Sequence, residues 1–139
     1  MADSEAVARP SATRVASLSA RAIVLFAVVW VRVRRRSLPD VISGLARVER
    51  VRPARAGPVR LGLIVSRALR VGSHQARCLY TSLVLFRLLR EQGVDADIVI
   101  GLPREPRDKD AHAWIEIDGR DVGPPPGRAQ HVELARYGS

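Results

Sequence analysis

This chain of 139 residues contains a single cysteine, Cys78, and a single lysine, Lys109. One thiol cannot close an internal disulfide, so the sequence excludes a disulfide-stapled secreted scaffold and the paired cysteines of a zinc ribbon. We therefore predict a protein of the reducing cytoplasm. Aromatic residues make up only 4% of the chain against 47% hydrophobic residues in all, so aliphatic side chains must fill the core.

Negative charge is also scarce, and the formal net charge is +9. A positive net charge is compatible with binding to nucleic acid, to an anionic membrane or to an acidic peptide. The charge alone does not show which of these is the partner. A nucleic-acid partner is not predicted, because no recognised binding motif accompanies the arginines and aromatic stacking platforms are nearly absent.

The longest apolar run extends from Ala22 to Val31 and is shorter than the ~20 residues of a membrane-spanning helix. The arginines that follow it, Arg32 and Arg34–Arg36, are unlike a signal-peptide cleavage site. We expect a buried or partner-facing helix. Attachment to a membrane surface, with these arginines at the headgroups, is the less favoured alternative.

The first half of the chain reads as helical. Residues 1–12 are small and polar, which predicts a disordered N-terminus, and residues 13–70 form a helical N-terminal segment. Its expected helices are about 13–35, a short one in "SLPDVISGLARVERV" capped by Ser37 or Asp40, and a third in "VRLGLIVSRALRVG".

The second half has a mixed pattern that predicts an α+β fold. Apolar residues from Leu79 to Leu89 recur at helical spacing, and Gly93 is placed to end that helix. The β-branched "VDADIVIGL" and the alternating "AHAWIEIDGRDV" predict two strands of an antiparallel sheet, and Asp118–Gly119 predicts a hairpin turn. The tail after the prolines predicts a short helix.

Cys78 stands where the central helix is expected to begin. Near a helix N-terminus, unpaired N–H groups and the helix field favour a thiolate, the attacking form of cysteine. The alternative is an inert buried residue, since free cysteine is among the most buried residue types.

His112 favours the catalytic interpretation. Strand alternation puts it on the face of Trp114 and Glu116, opposite Ile115 and Ile117. A cysteine on a helix that faces a histidine on a sheet is the arrangement of a thiol nucleophile and its base.

The stretches "RCLYTSLVLFRLLREQGVDADIVIGL" and "AHAWIEIDGR" resemble the transglutaminase-like, papain-type cysteine leader peptidases of lasso-peptide biosynthesis, the B2 proteins. The resemblance covers about residues 70–123. It implies that residues 71–139 form a papain/transglutaminase-like peptidase core, with Cys78 and His112 on the family's nucleophile and base. It also implies a precursor peptide as substrate, a separate leader-recognition protein and a macrolactam cyclase as partners, and no cofactor.

The sequence does not identify the third catalytic residue, which would orient the histidine. The family resemblance implies an acidic residue or Asn on the strand after the turn, opposite the histidine. With Asp118–Gly119 as the turn, Asp121 pairs with Glu116, roughly 13 Å along the strand from His112. A loop residue such as Asp110, a backbone carbonyl or another register are the alternatives.

Other readings stay open. His74, Cys78 and His112 would make three ligands of a metal site, although no acidic ligand is clearly placed and no metal is predicted. The oxyanion donors are expected to be the Cys78 N–H with a preceding side chain, for which Gln75 is a weak candidate. A catalytically impaired scaffold of the same maturation complex is the main functional alternative.

Overall fold

The computed structural model describes residues 11–53, 56–70, 74–104, 111–122 and 131–138, and for residues 74–77 the backbone alone. The expected disorder of residues 1–12 falls mostly on residues 1–10, outside these ranges. Ser11 and Ala12 lie within them, and Ser11 caps the first helix by accepting a hydrogen bond from the Arg14 N–H. The domain division at residues 70 and 71 stays a prediction.

The described residues form four helices and one antiparallel sheet of four strands, which confirms the α+β class. The elements in chain order are α1 Ala12–Arg35, α2 Leu38–Ala46, α3 Pro58–Ala68, α4 His74–Glu91, β1 Asp97–Pro103, β2 His112–Ile117, β3 Arg120–Val122 and β4 His131–Tyr137. The strand order in the sheet is β3-β2-β1-β4.

Local sequence signals set most of these boundaries. Ser37 caps α2 by accepting a hydrogen bond from the Asp40 N–H, as expected of an N-cap serine. Gly93 follows α4 with φ of 76°, which confirms the predicted left-handed C-cap. Asp118 and Gly119 both have positive φ, 51° and 76°, and form the predicted hairpin turn between β2 and β3.

The tail contradicts one expectation. The segment His131–Tyr137 is strand β4 and not a short helix, and it pairs antiparallel with β1. Its exposed apolar residues, Val132 and Leu134, give no helical stripe, and the free edge of β1 supplies the backbone partners that decide its structure. The proline-rich turn before it, residues 123–130, lies outside the described residues.

The core lies between the helices and one face of the sheet. Helix α4 is at its centre, with its segment Leu83–Phe86 buried, while the other three helices pack around it. Arg21 of α1 donates hydrogen bonds to Glu91 at the end of α4, whose side chain is 8% exposed. Because a buried carboxylate is costly without a partner, this ion pair fixes α1 against α4.

Helix α1 presents two different faces. Leu18, Ala22 and Val29 are buried against the core, whereas the opposite face leaves apolar side chains in solvent. The exposed residues are Ile23, Val24, Val28, Trp30 and Val31. By length and composition alone α1 is long and apolar enough to cross a membrane, so the shortness of the run Ala22 to Val31 does not by itself exclude a span.

Candidate active site

Cys78 lies in α4 with 8% of its surface exposed. Helix α4 begins at His74, so Cys78 is its fifth residue and its N–H points at the His74 carbonyl. The N–H groups without an intrahelical acceptor are those of residues 74–77. The helix therefore begins a turn earlier than the pattern predicts, and the Cys78 N–H is not available as an oxyanion donor. The side chains of His74 and Gln75 are outside the described set.

His112 is the first residue of β2, and it pairs with Gly101 of β1. Ile115 belongs to the main core, whereas Trp114 is buried outside that cluster and its ring lies 6.1 Å from the ring of His112 between centroids. The predicted alternation of β2 is therefore correct, and both faces of the strand are buried.

The chain path brings the segments that carry Cys78 and His112 to the same end of the α4–β2 pair, with the His112 side chain on the face of β2 opposite Ile115, which packs in the helical core. After α4 the chain turns back at Gly93, and Asp97 at the start of β1 pairs with Glu116 near the end of β2. Strand β2 then runs in the direction of α4, because it is antiparallel to β1. The start of β2 therefore lies beside the N-terminal half of α4.

One hydrogen bond fixes this alignment. The Ser82 hydroxyl donates to the Ala113 carbonyl over 3.1 Å, and both residues are buried. Cys78 lies one helical turn before Ser82, about 6 Å along the axis on the same side of α4. His112 directly precedes Ala113. The hydrogen bond thus joins the two short segments that carry the thiol and the imidazole.

The register of the hairpin agrees with the sequence analysis. Glu116 pairs with Asp121 and Ile117 with Arg120, so Asp121 is at the far end of β2 from His112. No carboxylate of the described part of β3 lies opposite His112. Counting on from the predicted Asp118–Gly119 turn, Pro124 and Pro125 are the positions expected across from Ala113 and His112. These prolines and the candidate Asp110 lie outside the described residues.

An ion-pair network built around the buried Glu116 lies on the His112 face of the sheet. The Trp114 Nε1 donates to Glu116 over 2.7 Å, and Arg136 of β4 donates to the other Glu116 oxygen over 2.9 Å. Arg136 also binds Asp97 and Glu133. The hydrogen bond that Arg136 donates to Glu116 is the main cause that raises the pKa of Arg136 above its ordinary value, while burial opposes it. The guanidinium therefore stays charged and holds Glu116, which in turn orients the Trp114 ring.

Sequence reasoning missed His131. Its ring is stacked on His112 with centroids 4.6 Å apart and planes 21° apart, and it lies 5.7 Å from Trp114. The missed signal was the strand at residues 131–137, which brings this histidine across β1. Among the side chains that the structure describes, no group of three or more His, Cys, Asp or Glu is arranged to hold a metal ion.

The sequence model of the transglutaminase-like superfamily matches residues 20–135, from α1 into β4. No curated protein and no solved structure matches the chain. The family match covers most of the chain, and it includes the central helix with Cys78 and the strand with His112. The chain belongs to the transglutaminase-like superfamily.

Proposed function

We propose that this protein is a cysteine leader peptidase of lasso-peptide maturation, in which Cys78 is the nucleophile and His112 the base. The observation that carries the proposal is the Ser82–Ala113 hydrogen bond, which aligns the segments of the two residues. Membership of the transglutaminase-like superfamily supports a thiol mechanism. The narrower assignment to precursor peptides rests on the likeness of the stretches around Cys78 and His112 to the B2 proteins.

In the proposed reaction, His112 takes the thiol proton and the Cys78 sulfur attacks the carbonyl carbon at the leader–core junction. The C–N bond then breaks, and His112 returns the proton to the departing amine of the core peptide. Water, deprotonated by His112, attacks the thioester and releases the leader carboxylate and the thiol. No cofactor enters these steps.

Because Cys78 lies in the second turn of α4, stabilisation of its thiolate depends more on the His112 imidazole than on the helix N-terminus. The field of a helix terminus weakens beyond the first turn, and the N–H groups without a helical partner precede the cysteine. His112 is therefore the group that must stabilise the thiolate, as the positively charged member of an ion pair.

The test is incubation of the protein with a precursor peptide and its leader-binding partner, followed by mass measurement. We expect leader and core fragments from the wild type and none from Cys78→Ala or His112→Ala. Ser66→Ala, on α3, is a matched polar control outside the proposed site and should still cleave. Cleavage by the alanine variant of Cys78 would remove the mechanism.

We further propose that the exposed face of α1 binds the leader-recognition protein and the cyclase in the cytoplasm. This face, defined by Ile23, Val24, Val28 and Val31, is apolar, and α1 contains arginines and no acidic residue. The matching partner surface would be an apolar groove with an acidic rim. Phe26, which belongs to the apolar run Ala22 to Val31, is not part of this face, because it packs edge to face on Tyr80 of α4 with centroids 5.5 Å apart.

A binding assay with the purified partner proteins tests this surface. Val24→Glu and Val28→Glu should weaken binding at least tenfold without loss of the fold, because both side chains are exposed, whereas Thr13→Glu, on the same side of the helix, should not. Unchanged binding by the two valine variants would contradict the assignment. Binding of α1 to anionic vesicles in place of the partners would support the membrane alternative against it.

A catalytically impaired scaffold is the second candidate function. The pairing of Asp121 with Glu116 favours the scaffold function, because it places Asp121 far from His112 along β2. A wild-type protein that binds the partners and leaves the precursor uncut would support the scaffold and refute the peptidase.

A further inference from the structure

The strand pairing of β4 places His131 beside the proposed base. Pro103 pairs with His131 and Gly101 with Glu133, and then the register shifts by one residue, so that Ile100 pairs with Ala135. The extra residue is Leu134. Because of this bulge, His131, Glu133 and Arg136 share one face of the sheet with His112, although strict alternation would separate Arg136 from the other two.

Gly101 of β1 separates the two histidines and leaves room for the ring cluster. A Cβ atom there would lie 2.8 Å from the Trp114 ring and 2.6 Å from the Val132 carbonyl oxygen. Without this atom, the Trp114 ring lies across β1 within ring-contact distance of both imidazoles. Glu116 and Arg136 fix the far side of Trp114 through hydrogen bonds.

We propose that His131 is a positioning residue for His112, a role for which the family resemblance implies an acidic residue or Asn on the strand after the turn. The proposal rests on the assignment of His112 as the base. The proposal is supported by the near-parallel stack of the two imidazoles, whose centroids are 4.6 Å apart and whose planes are 21° from parallel. A ring held face to face restricts the rotation of its neighbour.

The stack of the two rings also affects the stability of the positively charged form of His112. When Cys78 loses its proton to His112, a cation forms against the π face of the neutral His131 ring, at a distance where such a face attracts a cation. A protonated His131 would instead repel it. His131 therefore assists the ion pair while neutral and opposes it when protonated.

The remaining charged groups on this face have described partners in the network. Glu116, Asp97 and Glu133 are all bound to Arg136, and Asp121 faces Glu116 from β3. On the side of the sheet that packs against α4, the ionisable group of the proposed site is the Cys78 thiol. Of the two described rings stacked on the imidazole of His112, that of His131 is the nearer, at 4.6 Å between centroids against 6.1 Å for Trp114.

The test is the rate of alkylation of Cys78 by iodoacetamide in the full-length protein, measured between pH 5 and pH 8. A free thiol is almost wholly protonated in most of this range, so fast alkylation reports on a stabilised thiolate. We expect His131→Ala to lower the rate at neutral pH about tenfold, a size typical of one desolvated cation–π contact. His131→Phe should keep most of the rate, because phenylalanine restores a stackable ring.

The pH profile separates positioning from a merely structural role. Towards pH 5, His131→Phe should lose less reactivity than the wild type, because phenylalanine keeps a stackable ring and has no ionisable group. Val132→Ala, the neighbour on the opposite face of β4, is the control and should behave as the wild type. Melting curves of all variants check the fold.

Equal rates for the wild type and His131→Ala would overturn the inference, as would equal losses in His131→Ala and His131→Phe. The assay contains no peptide. Failure of precursor cleavage with the His131 dependence intact would refute the proposed substrate and leave the inference standing. No effect of His112→Ala on alkylation would overturn both the inference and the base assignment.

Discussion

Gly101→Ala should be poorly tolerated by the sheet, although it adds only one methyl group. The new Cβ would meet the Val132 carbonyl oxygen at 2.6 Å and two atoms of the Trp114 ring at 2.8 and 3.0 Å. The carbonyl is backbone of β4, and Trp114 is 2% exposed and bound to Glu116, so neither neighbour can move without loss of other contacts. Forced overpacking of this kind costs about 2–3 kcal/mol.

Urea unfolding followed by far-ultraviolet circular dichroism measures this cost. Gly44→Ala, within α2, is a matched control of opposite sign, because its Cβ would have only the Arg32 guanidinium nearby, at 3.7 Å. A glycine replaced by alanine inside a helix gains about 0.5–1 kcal/mol. The same Gly101→Ala protein should also alkylate at Cys78 more slowly, since a displaced Trp114 disturbs the histidine stack. A Gly101→Ala protein as stable as the wild type would refute the close approach of β1, β4 and Trp114.

Three further substitutions test other contacts. Ser82→Ala should cost about 1–2 kcal/mol, because the buried Ala113 carbonyl loses its donor, and should slow Cys78 alkylation; unchanged reactivity would argue against the helix–strand alignment. Arg136→Ala should cost about 2 kcal/mol in urea unfolding by leaving the buried Glu116 carboxylate short of its cation, whereas Arg136→Lys should recover part of it. Ser37→Ala should cost about 1 kcal/mol through loss of the α2 cap, and a loss below measurement error would contradict that role.

Most of the fold could be predicted because its signals are local. The caps at Ser37 and Gly93, the Asp118–Gly119 turn and the alternation of β2 each depend on a few neighbouring residues, and the structure agrees with all of them. The register of the hairpin followed from the turn, so the pairing of Glu116 with Asp121 was also predictable.

What could not be predicted depends on distant parts of the chain. Residues 131–137 form strand β4 because the edge of β1 offers unpaired backbone groups for hydrogen bonding. The bulge that turns His131 and Arg136 to one face depends on the pairing with β1 and cannot be predicted from residues 131–137 alone. The start of α4 at His74 was missed although Ser73, a residue type favoured at helix N-caps, directly precedes it in the sequence. Thus Cys78 and His112 could be proposed as nucleophile and base from local pattern, whereas the stacking of His131 on His112 depends on the pairing of distant strands.

The proximity of Cys78 and His112 is the central claim, and cross-linking with dibromoacetone tests it most directly. This reagent alkylates a thiol and then a second nucleophile only if that group is within reach of one short carbonyl bridge. After tryptic digestion, we predict that the peptide of residues 78–87 is joined to that of residues 110–120, and that His112→Ala abolishes the link. Absence of any link, or a link to the His131 peptide of residues 129–136 instead, would contradict the account.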